Sequence, residues 1–94
     1  MLQLTPEAAV RIVKMRSSAD GGSDELFLRV WRDVDRREPG VRIAFVPRPR
    51  EEDHVGVSQG VPLCVGEEVA EMLDGMVIDS RHDDHTPLYI RAAS

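Results

Sequence analysis

VPLCVGEEVAEMLDGMVIDS, from Val61 to Ser80, decides the fold. Val61, Leu63 and Val65 alternate with Pro62 and Cys64, the period of a half-buried strand. Gly66 breaks that strand. Glu67 and Glu68 follow, and carboxylates complement the first turn of a helix. Val69, Met72 and Leu73 recur at three- and four-residue spacing, which predicts one apolar helical face. Asp74-Gly75 ends the helix, because glycine takes the left-handed conformation of a helix stop without steric cost. Met76, Val77 and Ile78 begin the next strand. The stretch is a strand–helix–strand unit of a small α+β core, and by itself it names no chemistry.

Upstream of this unit, Met1 to Leu4 reads as a short apolar strand or arm. Thr5 is an N-cap, with Pro6 at the first helical position, where its missing N–H costs nothing. The helix is expected to run to Arg16 or Ser17, burying Ala9, Ile12 and Val13 and exposing Glu7, Arg11 and Lys14. Ser17 to Asp24 is a polar, glycine-rich loop without the order of a phosphate-binding loop. Glu25 to Val34 alternates, with Leu26, Leu28 and Val30 on one side and Phe27, Arg29 and Trp31 on the other. A charged turn, Asp35 to Gly40, leads to a second alternating strand at Val41, Ile43 and Phe45, so the pair predicts a β-hairpin. The prolines of Pro47 to Asp53 exclude a helix interior or a central strand. His54 to Ser58 is a further strand, joined to Val61 by the two-residue turn Gln59-Gly60. After Asp79, the polar run SRHDDHTP leads to a last strand at Leu88, Tyr89 and Ile90. The expectation is one α+β domain over residues 1–94, a mainly antiparallel β-sandwich or pair of twisted sheets with two helices.

Three pieces carry a family resemblance. The opening Leu2-Gln3-Leu4-Thr5-Pro6-Glu7-Ala8-Ala9, the strand Leu28-Arg29-Val30, and Leu73-Asp74-Gly75 followed by Val77-Ile78-Asp79 resemble, in order and spacing, the HesB/IscA-like A-type iron–sulfur cluster carriers. The resemblance implies that family's α+β fold across nearly the whole chain. It also implies three cysteine ligands, one in the turn after the Leu28-Arg29-Val30 strand and two in a Cys-Gly-Cys tail. Thiolates suit that task because soft sulfur matches the iron of a cluster. The first turn here is Asp35-Arg36-Arg37-Glu38-Pro39-Gly40, and the last residues are Tyr89-Ile90-Arg91-Ala92-Ala93-Ser94. Neither stretch holds a cysteine, so no ligand carries over residue by residue.

Cys64 falls inside a strand, away from those positions, and reads as a small buried hydrophobe. Its nearest helix start carries Glu67 and Glu68, which oppose a thiolate. His54, His82 and His85 are the remaining metal candidates, since imidazole and carboxylate ligands bind zinc, nickel or ferrous iron. Against that, His82-Asp83-Asp84-His85 reads as a solvated acidic turn, with no helix to hold both imidazoles on one face. No Ser/His/Asp order, catalytic carboxylate pair or nucleotide fingerprint stands out, so the chain is not expected to be an enzyme or to carry a cofactor.

The formal net charge of −5 excludes a general nucleic-acid or anionic-membrane binder, and no apolar run approaches a membrane span. One cysteine and no visible signal segment predict a reducing, cytoplasmic setting. The charge is uneven. Arg29 to Arg50 holds seven arginines against three acids, a net of +4, whereas Glu51 to Ser94 holds ten acids against two arginines, a net of −8. Arginine stems covering apolar strand surface account for this pattern in the plain reading. In the functional one, Arg32, Arg36, Arg37, Arg48 and Arg50 form a docking surface for an acidic protein partner. Together these readings predict a monomeric or homodimeric interaction module tied to iron–sulfur assembly that holds no cluster itself. The alternative is a metal carrier using His54, His82 and His85.

Overall fold

A computed structural model describes residues 1–18, 26–32, 40–81 and 87–93. Its elements in order are β1 (Gln3–Leu4), α1 (Pro6–Ser18), β2 (Phe27–Arg32), β3 (Val41–Val46), β4 (His54–Ser58), β5 (Val61–Val65), α2 (Glu67–Leu73), β6 (Met76–Ser80) and β7 (Leu88–Ala92). The expected α+β class holds. The strands form two sheets, ordered β3-β2-β5-β4 and β1-β6-β7. Three pairings are antiparallel: β2 with β3, β4 with β5, and β6 with β7. Two are parallel, β1 with β6 and β2 with β5, and each parallel pair joins segments far apart in sequence. The expected turn at Asp35 to Gly40 falls outside the described residues except for Gly40, as do most of the Ser17–Asp24 loop and residues 82–86.

Thr5 caps α1 as its chemistry predicts. Its hydroxyl accepts the Ala8 N–H at 3.2 Å, and its own N–H donates to the Ile78 carbonyl at 3.0 Å. The cap therefore anchors both the helix and the neighbouring sheet. At the β4–β5 turn, Gln59 and Gly60 both have positive φ, 51° and 76°, the left-handed pair that a tight two-residue hairpin turn requires. Gly75, at φ 81°, reverses the chain after α2. Pro62 sits in β5, an interior strand. The β2 ladder begins only at the Leu28–Leu63 pair, so the N–H that Pro62 lacks falls beyond its end.

The core lies between the sheets and helices. Leu2, Leu4, Ala8, Ile12, Leu28, Val30, Val61, Leu63, Val65, Val69, Leu73 and Ile78 are all buried. Two expected core positions lie outside it. Val13 is 41 % exposed, and Arg16 is buried on that helix instead. At about 100° per residue, Ala8, Ala9, Ile12 and Arg16 share one sector of α1, and Val13 falls on its flank. Met72 is 56 % exposed for the same reason: it lies about 100° from Leu73, while Val69 and Leu73 face inward. Met72 instead lines an open apolar groove of about 390 Å³ with Val41, Ile43, Met76, Leu88 and Ile90.

Candidate functional site

The alternation of β2 sends Phe27, Arg29 and Trp31 to the outer face of the four-stranded sheet. Register then aligns Ala44, Arg29, Cys64 and Val55 in one row across that face. Asp53, just before β4, closes over the row. Its carboxylate accepts the Arg29 Nε–H at 2.8 Å and the Nη2–H at 3.0 Å, a bidentate pair whose side chains are only 8 % and 2 % exposed. The turn that delivers Asp53 is tied at both ends: the Arg50 N–H donates to its carboxylate at 2.9 Å, and its own N–H donates to the Arg50 carbonyl at 3.0 Å. The Arg29 guanidinium also lies 4.9 Å from the Trp31 ring centroid. The hydrogen-bonded Arg29 holds the Asp53 carboxyl below its ordinary range, and Asp53 in turn raises the pKa of Arg29.

Cys64 sits beneath this pair with none of its surface exposed. Burial first, and the nearby Asp53 charge second, push its thiol up to about 11. At neutral pH the sulfur is thus a protonated, enclosed thiol rather than a thiolate offered to a metal.

A second polar hub joins the other sheet to α1. The Asp79 carboxylate accepts the Thr5 hydroxyl and the Arg91 Nε–H, both at 2.9 Å, and the Ser80 N–H at 2.8 Å. Arg91 is the main cause of the lowered Asp79 pKa. Neither ion pair stands out from charge counting. The available signal was Arg29 itself, a charged residue in the middle of an alternating strand, whose burial demands a partner.

The arginine candidates are spread along the β2–β3 ribbon. Arg32 is exposed at the end where it pairs with Val41. Arg48 and Arg50 are exposed beyond the opposite end, where Phe27 pairs with Val46. The ribbon between those ends spans five residue steps, about 17 Å. Arg36 and Arg37 lie outside the described residues. The Arg32 N–H is held by the Glu68 side chain at 3.1 Å, which fastens the ribbon to the start of α2.

His54 is exposed at the start of β4, while His82 and His85 lie outside the described residues. No three His, Cys, Asp or Glu side chains among the described residues converge as metal ligands. His54 instead borders a groove of about 640 Å³ with Met1, Leu2, Val65, Ala70 and the carboxylates of Glu67, Glu71 and Asp74. The N-terminal ammonium of Met1 forms an ion pair with Asp74 in this groove. No described helix is long and apolar enough to cross a membrane.

This arrangement of two small mixed sheets and two helices is the fold of the HesB/IscA-like A-type carriers. Two of the solved structures that it resembles are particular cases. One is IscA with a [2Fe-2S] cluster: 23 % identity, TM-score 0.72, covering 99 % of this chain and 86 % of that one. The other is Escherichia coli SufA, involved in biosynthesis of iron–sulfur clusters: 20 % identity, TM-score 0.74, covering 96 % of this chain and 78 % of that one. No protein-family model matches the sequence, and no curated protein matches it. The likeness is therefore one of fold, and this chain has a single cysteine.

Proposed function

We propose that this chain keeps the carrier fold for a protein-interaction role in iron–sulfur assembly and does not itself hold a cluster. The observation that supports this is the state of Cys64. The one thiol is buried, protonated and roofed by the Arg29–Asp53 pair, whereas cluster iron is held by accessible thiolates, normally four. Anaerobic reconstitution with iron and sulfide, followed by desalting, is expected to leave a colourless protein. In the same samples Cys64 should resist a thiol reagent until urea unfolds the chain. A stable brown species with stoichiometric iron and sulfide would overturn the proposal, and its loss in Cys64→Ala would make Cys64 a ligand.

The partner in this reading carries an acidic surface and meets the arginine ribbon. Arg32 supplies one end of the described contact, and Arg48 and Arg50 the other, while Arg36 and Arg37 join it on sequence alone. Replacing Arg36 and Arg37 by Glu is expected to change stability by no more than about 0.5 kcal/mol. The same change should weaken association with an acidic partner and flatten its salt dependence. Binding that ignores both the charge reversal and salt would dispose of this surface.

A further inference from the structure

The free edge of β4 has the features of a second, differently charged interface. The two-residue turn at Gln59-Gly60 makes Ser58 and Val61 a hydrogen-bonded pair, and antiparallel pairs then alternate. Ser58, Gly56 and His54 direct their backbone groups at β5. The opposite parity on β5 agrees, since the Gly66 N–H reaches across to the Val30 carbonyl of β2 at 2.8 Å. Val55 and Val57 consequently aim N–H and C=O away from the sheet, and these groups have no hydrogen-bond partner among the described residues. Their side chains are also the open ones, 54 % and 72 % exposed. The strand reads His-Val-Gly-Val-Ser, without the lysine or proline that usually guards an edge.

The side of the sheet opposite those valines carries α2, and the acidic groove, which Val55 also lines, opens between α2 and the β4 edge. Glu67 and Glu71 are exposed and form no ion pair among the described residues, and Asp74 already holds an ammonium, that of Met1. We propose that the free edge of β4 docks an extended peptide segment, antiparallel, in which apolar residues alternate with lysine or arginine. Period-two alternation sends the apolar side chains onto Val55 and Val57 and the cations toward Glu67 and Glu71. A second copy of this chain fits less well: its β4 brings no basic residue, and both copies carry a net charge of −5. The proposal is independent of the arginine ribbon and of cluster chemistry.

The register makes the test specific. In the antiparallel pair, the peptide residues whose side chains meet the valines are also those whose N–H groups face β4. The probe is a capped seven-residue peptide alternating lysine and valine, titrated into the protein and followed by backbone amide shifts. The largest shifts are expected at Val55 and Val57. N-methylation of the peptide's valine amides should weaken binding about tenfold or more, while N-methylation of its lysine amides should leave it within about twofold. Glu67→Gln with Glu71→Gln should weaken binding and reduce its salt dependence, and Arg36→Glu with Arg37→Glu should not weaken it. Val57→Pro removes an outward-facing N–H and the exposed valine side chain without touching a β5 hydrogen bond, and should abolish docking with the melting curve retained. Equal binding of both N-methylated peptides would reduce the site to nonspecific charge and overturn the proposal. So would shifts confined to other strands, or self-association of the protein alone through Val55 and Val57.

Discussion

Leu73→Ala is expected to destabilise the protein by about 2–5 kcal/mol, the range for emptying a buried leucine site. Leu73 is 2 % exposed and packs with Val69 in the core cluster under α2. It is also the last residue of α2, directly before the Asp74-Gly75 reversal into β6. The cavity would open where the helix hands the chain to the second sheet, leaving few neighbours free to collapse into it. A domain of this size has about 5–15 kcal/mol in all, so the loss is a large share of the total. Urea unfolding monitored by circular dichroism measures it. Met72→Ala, one residue away and exposed, should cost well under half as much. Equal losses at the two positions would contradict the inward assignment of Leu73.

The second large effect concerns the ion pair on the outer sheet face. Asp53→Ala is expected to cost about 3–5 kcal/mol, because it leaves the Arg29 guanidinium buried without its bidentate partner. Replacing both residues together, Arg29→Met with Asp53→Leu, should recover much of that loss, since apolar packing removes the orphaned charge. The pair also sets an acid dependence. Arg29 holds the folded-state pKa of Asp53 below its unfolded value of about 3.9. The folded state then binds fewer protons than the unfolded one. The stability that this carboxylate contributes is full above about pH 4–5 and drains away as pH falls toward the depressed folded pKa. Asp53→Asn should therefore be less stable than the parent at pH 7 but flatter between pH 5 and pH 2. Asp79, lowered by Arg91, leaves a residual acid dependence in that variant. Identical acid profiles of parent and variant would show that Asp53 is not the titrating group.

Much of the architecture was legible in the chain because local rules govern it. Alternation marked β2, β3 and β5. Thr5-Pro6 marked the start of α1, Gln59-Gly60 the hairpin, and Asp74-Gly75 the end of α2. Each signal acts within a few residues, through steric limits on φ or the three- and two-residue periods of side chains. The same rules misplaced Val13 and Met72, since apolar spacing gives the approximate direction of a helix face but not its centre. Which sector turns inward depends on what the helix packs against.

Of the possible sites, the absence of cysteines from Asp35–Gly40 and the isolation of Cys64 within a strand could be read directly, as could the basic and acidic halves. Tertiary structure decided the remainder. The parallel pairing of β2 with β5 sets Cys64 beside Arg29, thirty-five positions apart in the chain, and the Arg50–Asp53 turn places a carboxylate over both. A buried thiol, a desolvated ion pair and a free strand edge beside an acidic groove are all consequences of long-range register. Residue type and spacing determine which groups are present; only the register of strands distant in sequence determines which are shielded from water and which remain open to a partner.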